Sequence, residues 1–239
     1  MGRAFEVRKA AMAKTSAAKA KVYSRFGKEI YVAAKSGVPD PEMNQTLRQM
    51  IQKAKANQVP ADVISRAIEK AKGSTHENYD TVQYEGFGPG ASTIIVECLT
   101  DNVNRTIADV RTCFNKAHAK LGVAGSVSFN YEYVALIAFP GEDEEAVLEA
   151  LVNNEIDARD FEVVDGMVNI TADATDLYRV KTAIEEIYPN VEFTTLETTM
   201  LPNEYVTLQE GEETDLFTRL TTMLDDVDDV QNVWHNVEL

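Results

Sequence analysis

The chain has 239 residues, of which 44% are hydrophobic and 26% charged, with 12 Gly, 7 Pro and two Cys. That composition supports sizeable apolar cores and excludes collagen-like, low-complexity and disulfide-stapled chains. No apolar run approaches the roughly 18 residues that span a bilayer. The opening MGRAFEVRKAAMAKTSAAKAK lacks the apolar stretch of a secretory signal, and Glu6 stands where myristoylation asks for Ser or Thr. The expectation is a cytoplasmic protein without a membrane anchor.

The net charge of −16 is unevenly placed. Residues 1–75 carry 15 Lys and Arg against 6 Asp and Glu, a net +9, and residues 76–239 carry 8 against 33, a net −25. Such asymmetry points to a polyanion-binding segment joined to an acidic body.

Ala and Lys, both good helix formers, dominate the first 75 residues. Val22, Phe26, Ile30 and Ala33 recur at helical spacing along 17–36 and predict a buried stripe. Lys21, Arg25, Lys28 and Lys35 share another face. Gly37 stops this helix. Asp40-Pro41 is expected to open the next, with Asp as N-cap and Pro at the first helical position. Its apolar stripe is Leu47, Met50, Ile51 and Ala54. A third helix opens near Pro60, buries Val63, Ile64, Ala67, Ile68 and Ala71, and ends at Gly73.

After a polar linker over 73–80 the periodicity changes. Thr81–Glu85 and Ser92–Thr100 read as strands around Gly86-Phe87-Gly88-Pro89-Gly90, a hairpin turn rather than a phosphate loop, since no GK[ST] follows. Val103–Lys120 reads as a helix, Ser126–Phe139 as a long β stretch and Glu142–Asn153 as a helix. Phe161–Val164 and Met167–Thr171 form a hairpin, Ala174–Ile187 a helix and Val191–Thr199 a strand. Tyr205–Leu208, a helix over Glu213–Leu224 and Val230–Val237 complete the chain. Strand–helix–strand–strand–helix–strand appears once within 133–199, and a second copy can be assembled from 92–134 plus 196–237. The expected fold is α+β: an N-terminal helical bundle followed by two ferredoxin-like α/β domains, the second inserted into the first. The domains are 1–75, 76–132 plus 200–239, and 133–199.

Four stretches together carry a family resemblance: KVYSRFGKEIYVAAKSGVPDPEMNQTLRQMIQKAKANQVPADVISRAIEKAKG, YEGFGPG, VECLTDNVNRT and LGVAGSV. On these the chain resembles the YebC family, within it the members that begin MGR. It differs where the family usually has a Trp near the start (here Phe5) and a Gly pair before the LG turn (here His118-Ala119). The resemblance implies a helical N-terminal domain followed by two α/β domains and a non-enzymatic role. It implies a DNA-binding transcriptional regulator. The alternative it implies is a translation factor, because a mitochondrial relative activates translation and the family is tied to ribosomes stalled at proline-rich stretches.

Clustered cations are the electrostatic footprint of nucleic-acid binding, which is driven by release of condensed counterions. The expected phosphate contacts are Arg8, Lys9, Lys14, Lys19, Lys21, Arg25, Lys28, Arg48, Lys53, Lys55, Arg66 and Lys70. The partner is DNA or ribosomal RNA, and a basic protein surface is a further partner for the acidic domains. The acidic body could also fold back on the basic segment and mask it. Asn104 and Arg105, at a strand-to-helix junction, are second candidates for an anion, beside a capping role for Asp101 or Asn102. An acylphosphatase-like use of Asn104-Arg105 is the enzyme alternative. His76, His118 and His235 show no metal-ligand spacing, and neither a metal nor a cofactor is expected.

Overall fold

A computed structural model describes residues 16–73 and 77–238, with side chains from residue 21 onward. Two compact units emerge. One comprises residues 16–127 and 208–235, and the other residues 128–207 and 236–238.

The first unit opens with three helices, α1 (Ser16–Lys35), α2 (Gln45–Ala56) and α3 (Ala61–Lys72). Phe26, Ile30 and Ala33 of α1 are buried as their spacing predicts, against Leu47 and Ala54 of α2 and Ile64, Ala67 and Ala71 of α3. Removing each large aliphatic side chain from water contributes about 1.5–3 kcal/mol. The start of α2 departs from expectation. Asp40 and Pro41 lie in a separate turn, where the Asp40 carboxylate accepts the Glu42 N–H at 2.9 Å. The N-cap is Asn44, whose Oδ1 accepts the Leu47 N–H at 3.0 Å. Its Nδ2 donates to the Ala33 and Val38 carbonyls at 2.9 and 3.0 Å. One side chain therefore caps α2 and ties it to the end of α1, and an ionised Asp, which has no N–H, could not make the second contact.

Next come β1 (Asp80–Phe87), β2 (Thr93–Thr100), α4 (Val103–Lys116) and the short β3 (Lys120–Leu121). The β1–β2 hairpin closes as predicted, through Gly88 N–H to Ser92 C=O at 2.8 Å, with Gly90 at φ +60°. Helix α4 stops short of Lys120 because His118 adopts φ +53° and turns the chain into β3. Here His occupies a left-handed position for which Gly is the usual residue.

The second unit contains β4 (Tyr131–Pro140), α5 (Glu144–Asn153), β5 (Ala158–Val164), β6 (Met167–Asp173), α6 (Leu177–Ile187) and β7 (Thr195–Pro202). Its antiparallel sheet has the order β5-β6-β4-β7, the ferredoxin-like arrangement. Ile137, Phe139, Val168 and Ile170 from the sheet meet Val147 and Leu151 of α5 and Val180 and Ile184 of α6. The expected strand from 126 begins only at Tyr131, after a 3-10 turn over Ser128–Asn130. The expected strand over 205–208 is reduced to a single parallel bridge, Val206 to Val237.

The first unit then ends with α7 (Glu212–Asp225) and β8 (Val230–His235). Its sheet is also four-stranded and antiparallel, in the order β3-β1-β2-β8, with α4 packed against α7. The chain path differs from the copy expected from 92–134 plus 196–237. Strand β1, directly preceding β2, takes an interior place, while the 131–140 and 195–202 strands belong to the other sheet. A five-residue hairpin closes at far lower entropic cost than a distant pairing.

Candidate nucleic-acid interface

The predicted cations fall into groups. Arg8, Lys9 and Lys14 lie outside the described residues, as does the side chain of Lys19. Lys21, Arg25 and Lys28 do share one face of α1, and that face is met by the acidic end of α7. Lys21 Nζ lies 2.6 Å from the Asp226 carboxylate and also donates to the Asp225 carbonyl. Arg25 lies 3.6 Å from the Asp225 carboxylate. Lys28 lies 2.9 Å from both the Asp229 carboxylate and the Asp228 carbonyl.

Asp229 is the centre of this contact. Besides Lys28, its carboxylate receives Arg105 at 2.6 Å, Thr106 Oγ1 at 2.8 Å and Thr100 Oγ1 at 3.1 Å. Burial would raise the Asp229 pKa, but hydrogen bonds from Arg105, Lys28 and Thr106 outweigh it and hold the carboxyl well below its usual range. The Asp229 hydrogen bond is likewise the main cause of a raised Arg105 pKa, with Asp101 second. Sequence reasoning missed Asp229, though its signal was present in the run Asp225-Asp226-Val227-Asp228-Asp229.

The strand-to-helix junction resolves in the same way. Asn102 caps α4, accepting the Arg105 N–H at 3.1 Å. The anions beside the Arg105 guanidinium are the protein's own, Asp229 and Asp101, the latter at 2.8 Å. Asn104 is exposed in the first turn of α4. A cavity of about 800 Å³ opens here, lined by Lys28, Arg105 and Lys116 together with Asp101, Asp109 and Asp228. Its charges are mixed in sign, and Lys28, Arg105, Asp101 and Asp229 among them are paired with one another. Among the described residues no group of three His, Cys, Asp or Glu is placed to hold a metal. Cys98 is buried, and burial, reinforced by the charges of Asp229 and Glu97, pushes its thiol up to about 12.

The cations of α2 and α3 are more open. Arg48, half exposed, donates to the Pro41 and Glu42 carbonyls at 2.9 and 2.8 Å. Lys55 is exposed and has no ion pair among the described residues. Lys53 is partly buried, where its charge opposes the burial that raises the pKa of Glu29 and Glu97. Arg66 is 74% exposed and pairs with Asp62 one turn away at 2.7 Å. Lys70 lies 2.6 Å from Glu77 and 5.4 Å from the Tyr31 ring centre.

The family pattern of the TACO1/YebC protein N-terminal domain matches residues 3–74, and that of the TACO1/YebC second and third domain matches residues 79–237. The chain belongs to the TACO1/YebC family. This TACO1/YebC chain is 52% identical over 236 residues to a probable transcriptional regulatory protein of Pseudoalteromonas translucida, covering 99% of this chain and 98% of that one. It is 50% identical to a probable transcriptional regulatory protein of Vibrio cholerae, over the full length of both. Among solved structures it is similar to a conserved hypothetical protein of Aquifex aeolicus, at 34% identity and a TM-score of 0.76, over 95% of this chain and 93% of that one. The two antiparallel sheets and leading helices are thus those of a TACO1/YebC protein. Among the described residues no helix is long and apolar enough to cross a membrane.

Proposed function

We propose that this protein is a cytoplasmic, non-enzymatic regulator that grips nucleic acid by its phosphate backbone through the cations of α2 and α3. One observation carries the reading: in a strongly acidic chain, Arg48, Lys55, Arg66 and Lys70 stand exposed on these two adjoining helices. Lys55 has no ion pair among the described residues, and the acids beside the other three, Glu42, Asp62 and Glu77, are 87%, 68% and 33% exposed, so that such pairs are worth about 0–1 kcal/mol each. Phosphate can therefore replace them at small cost, while counterion release favours the exchange. The names of the relatives support a role in transcription.

A second reading, association with ribosomal RNA as a translation factor, is favoured by the first turn of α3. A groove-reading helix contacts base edges with its N-terminal side chains. Here that turn presents Ala61, Asp62 and Val63, and Asp62 holds Arg66. Such a turn offers no donor to a base edge, which leaves contact to the cations further along the helix and favours backbone contact over sequence readout, satisfied by structured RNA as well as by DNA.

The test is a salt titration of binding to random-sequence duplex DNA and to a ribosomal RNA fragment, side by side. With about five phosphates neutralised on the duplex, log K against log salt slopes near −4.5. Lys55→Glu with Arg66→Glu weakens binding on all sequences alike and flattens the slope by about 0.9 for each phosphate no longer neutralised. Salt-independent binding on both polymers overturns the proposal. The tighter of the two probes separates the transcriptional from the translational reading.

A further inference from the structure

We infer that the acidic turn at the end of α7 is a built-in competitor for nucleic acid, occupying the α1 cations Lys21 and Arg25 in the place of phosphate. The inference rests on the reading of the protein as a phosphate-backbone binder and adds a control on how many of its cations are available. Lys21, Arg25 and Lys28 fall at i, i+4 and i+7 of α1, and their partners come from five consecutive residues, 225–229. The match is one acid per cation, and the Asp225 and Asp228 carbonyls accept further bonds from Lys21 and Lys28. Those carbonyls belong to or follow the C-terminal end of α7, the negative end of its dipole. To a row of ammonium and guanidinium groups this turn offers what a phosphodiester strand offers: closely spaced negative charges with oxygen acceptors.

The three pairs are graded in burial, and the gradient decides which can open. Lys21 and Asp226 are 33% and 72% exposed, and Arg25 and Asp225 are 24% and 49% exposed. Lys28 and Asp229 are 17% and 6% exposed, and Asp229 is also bound by Arg105. Exposed pairs exchange partners readily, whereas breaking a sealed one leaves a buried charge unmatched. The Lys28–Asp229 pair is therefore the fixed hinge of the contact. Asp225 and Asp226 are its displaceable part. With the turn in place, α2 and α3 supply the main grip; once phosphate displaces it, Lys21 and Arg25 join them.

The test is a double-mutant cycle on the full chain, read by binding of a fluorescein-labelled random-sequence DNA duplex across a salt series. Asp225→Asn with Asp226→Asn is expected to tighten binding at least tenfold at low salt. It should also steepen the log–log salt slope by about 1.8, two phosphates at about 0.9 each. Lys21→Gln with Arg25→Gln should weaken the parent much less than it weakens the Asn pair, so that the gain disappears when the two are combined. Glu149→Gln with Glu186→Gln, on exposed carboxylates of α5 and α6, removes equal charge elsewhere and should leave the slope unchanged. A slope that does not move in the Asn variant, a gain no larger than in the Gln control, or an equal loss from Lys21→Gln/Arg25→Gln in both backgrounds overturns the competitor. In each of those cases the parent still binds with a steep salt slope, so the functional proposal stands. If parent and Asn variant are alike in binding weakly and without salt dependence, both ideas fall together.

Discussion

The Asp229 carboxylate and the Arg105 guanidinium, 124 residues apart in sequence, meet at 2.6 Å. Their contact ties the start of α4 to the turn before β8, and Lys28 brings α1 to the same carboxylate. Four cationic or hydroxyl groups from three parts of the chain thus converge on one acid that is 6% exposed.

Asp229→Asn is expected to destabilise the first unit by about 1–3 kcal/mol, because it leaves Lys28 without its anion and Arg105 with Asp101 alone. Urea unfolding followed by circular dichroism measures this. The pH dependence has a definite sign. The folded pKa of Asp229 lies below the unfolded value of about 3.9. Its stabilisation is therefore complete above about pH 4 and is lost as pH falls below that through the folded pKa. The parent should lose stability along this acid limb, and the Asn variant should lack that contribution.

Arg105→Ala should lower stability while leaving DNA and RNA affinity within about twofold of the parent, since two carboxylates already hold the guanidinium. A large drop in affinity with unchanged stability would restore Arg105 as an anion contact.

Glu29→Gln should stabilise the protein at pH 8. Glu29 Oε2 is buried with no hydrogen-bond partner, and burial, opposed by the charge of Lys53, raises its pKa. A carboxyl with a raised folded pKa costs stability when ionised and recovers it as pH falls through that pKa. The advantage of Gln should accordingly shrink as the pH of the thermal melts is lowered.

His118→Gly should raise stability by about 0.5–1 kcal/mol. The φ of +53° strains a side chain but not glycine, and part of the gain is offset by glycine's greater entropy in the unfolded chain. Thermal unfolding of the two forms measures the difference.

Gly86→Ala should have the opposite effect, costing about 1–3 kcal/mol or more. A Cβ at this position would stand 2.3 Å from the Phe114 ring and 2.8 Å from the Lys120 carbonyl. Phe114 is fully buried and the carbonyl belongs to β3, so neither has room to yield. The readout is loss of unfolding cooperativity or a lowered midpoint in urea.

The sequence by itself determined the elements and the sign of their charge. Val22, Phe26, Ile30 and Ala33 at helical spacing, the Gly-Pro-Gly hairpin and the βαββαβ pattern of 133–199 are local regularities, set by which residues neighbour one another along a helix or strand. Likewise +9 against −25 is a property of composition. Only the tertiary structure decided which strands share the first sheet, that Asn44 rather than Asp40 opens α2, and above all where the cations end. Lys21 and Arg25 look identical in sequence to Lys55 and Arg66. The difference is that an acidic turn some 200 residues later closes over the first two. Coulombic pairing depends on distance in space, and a pattern read along one helix carries no information about what a remote segment brings to its face.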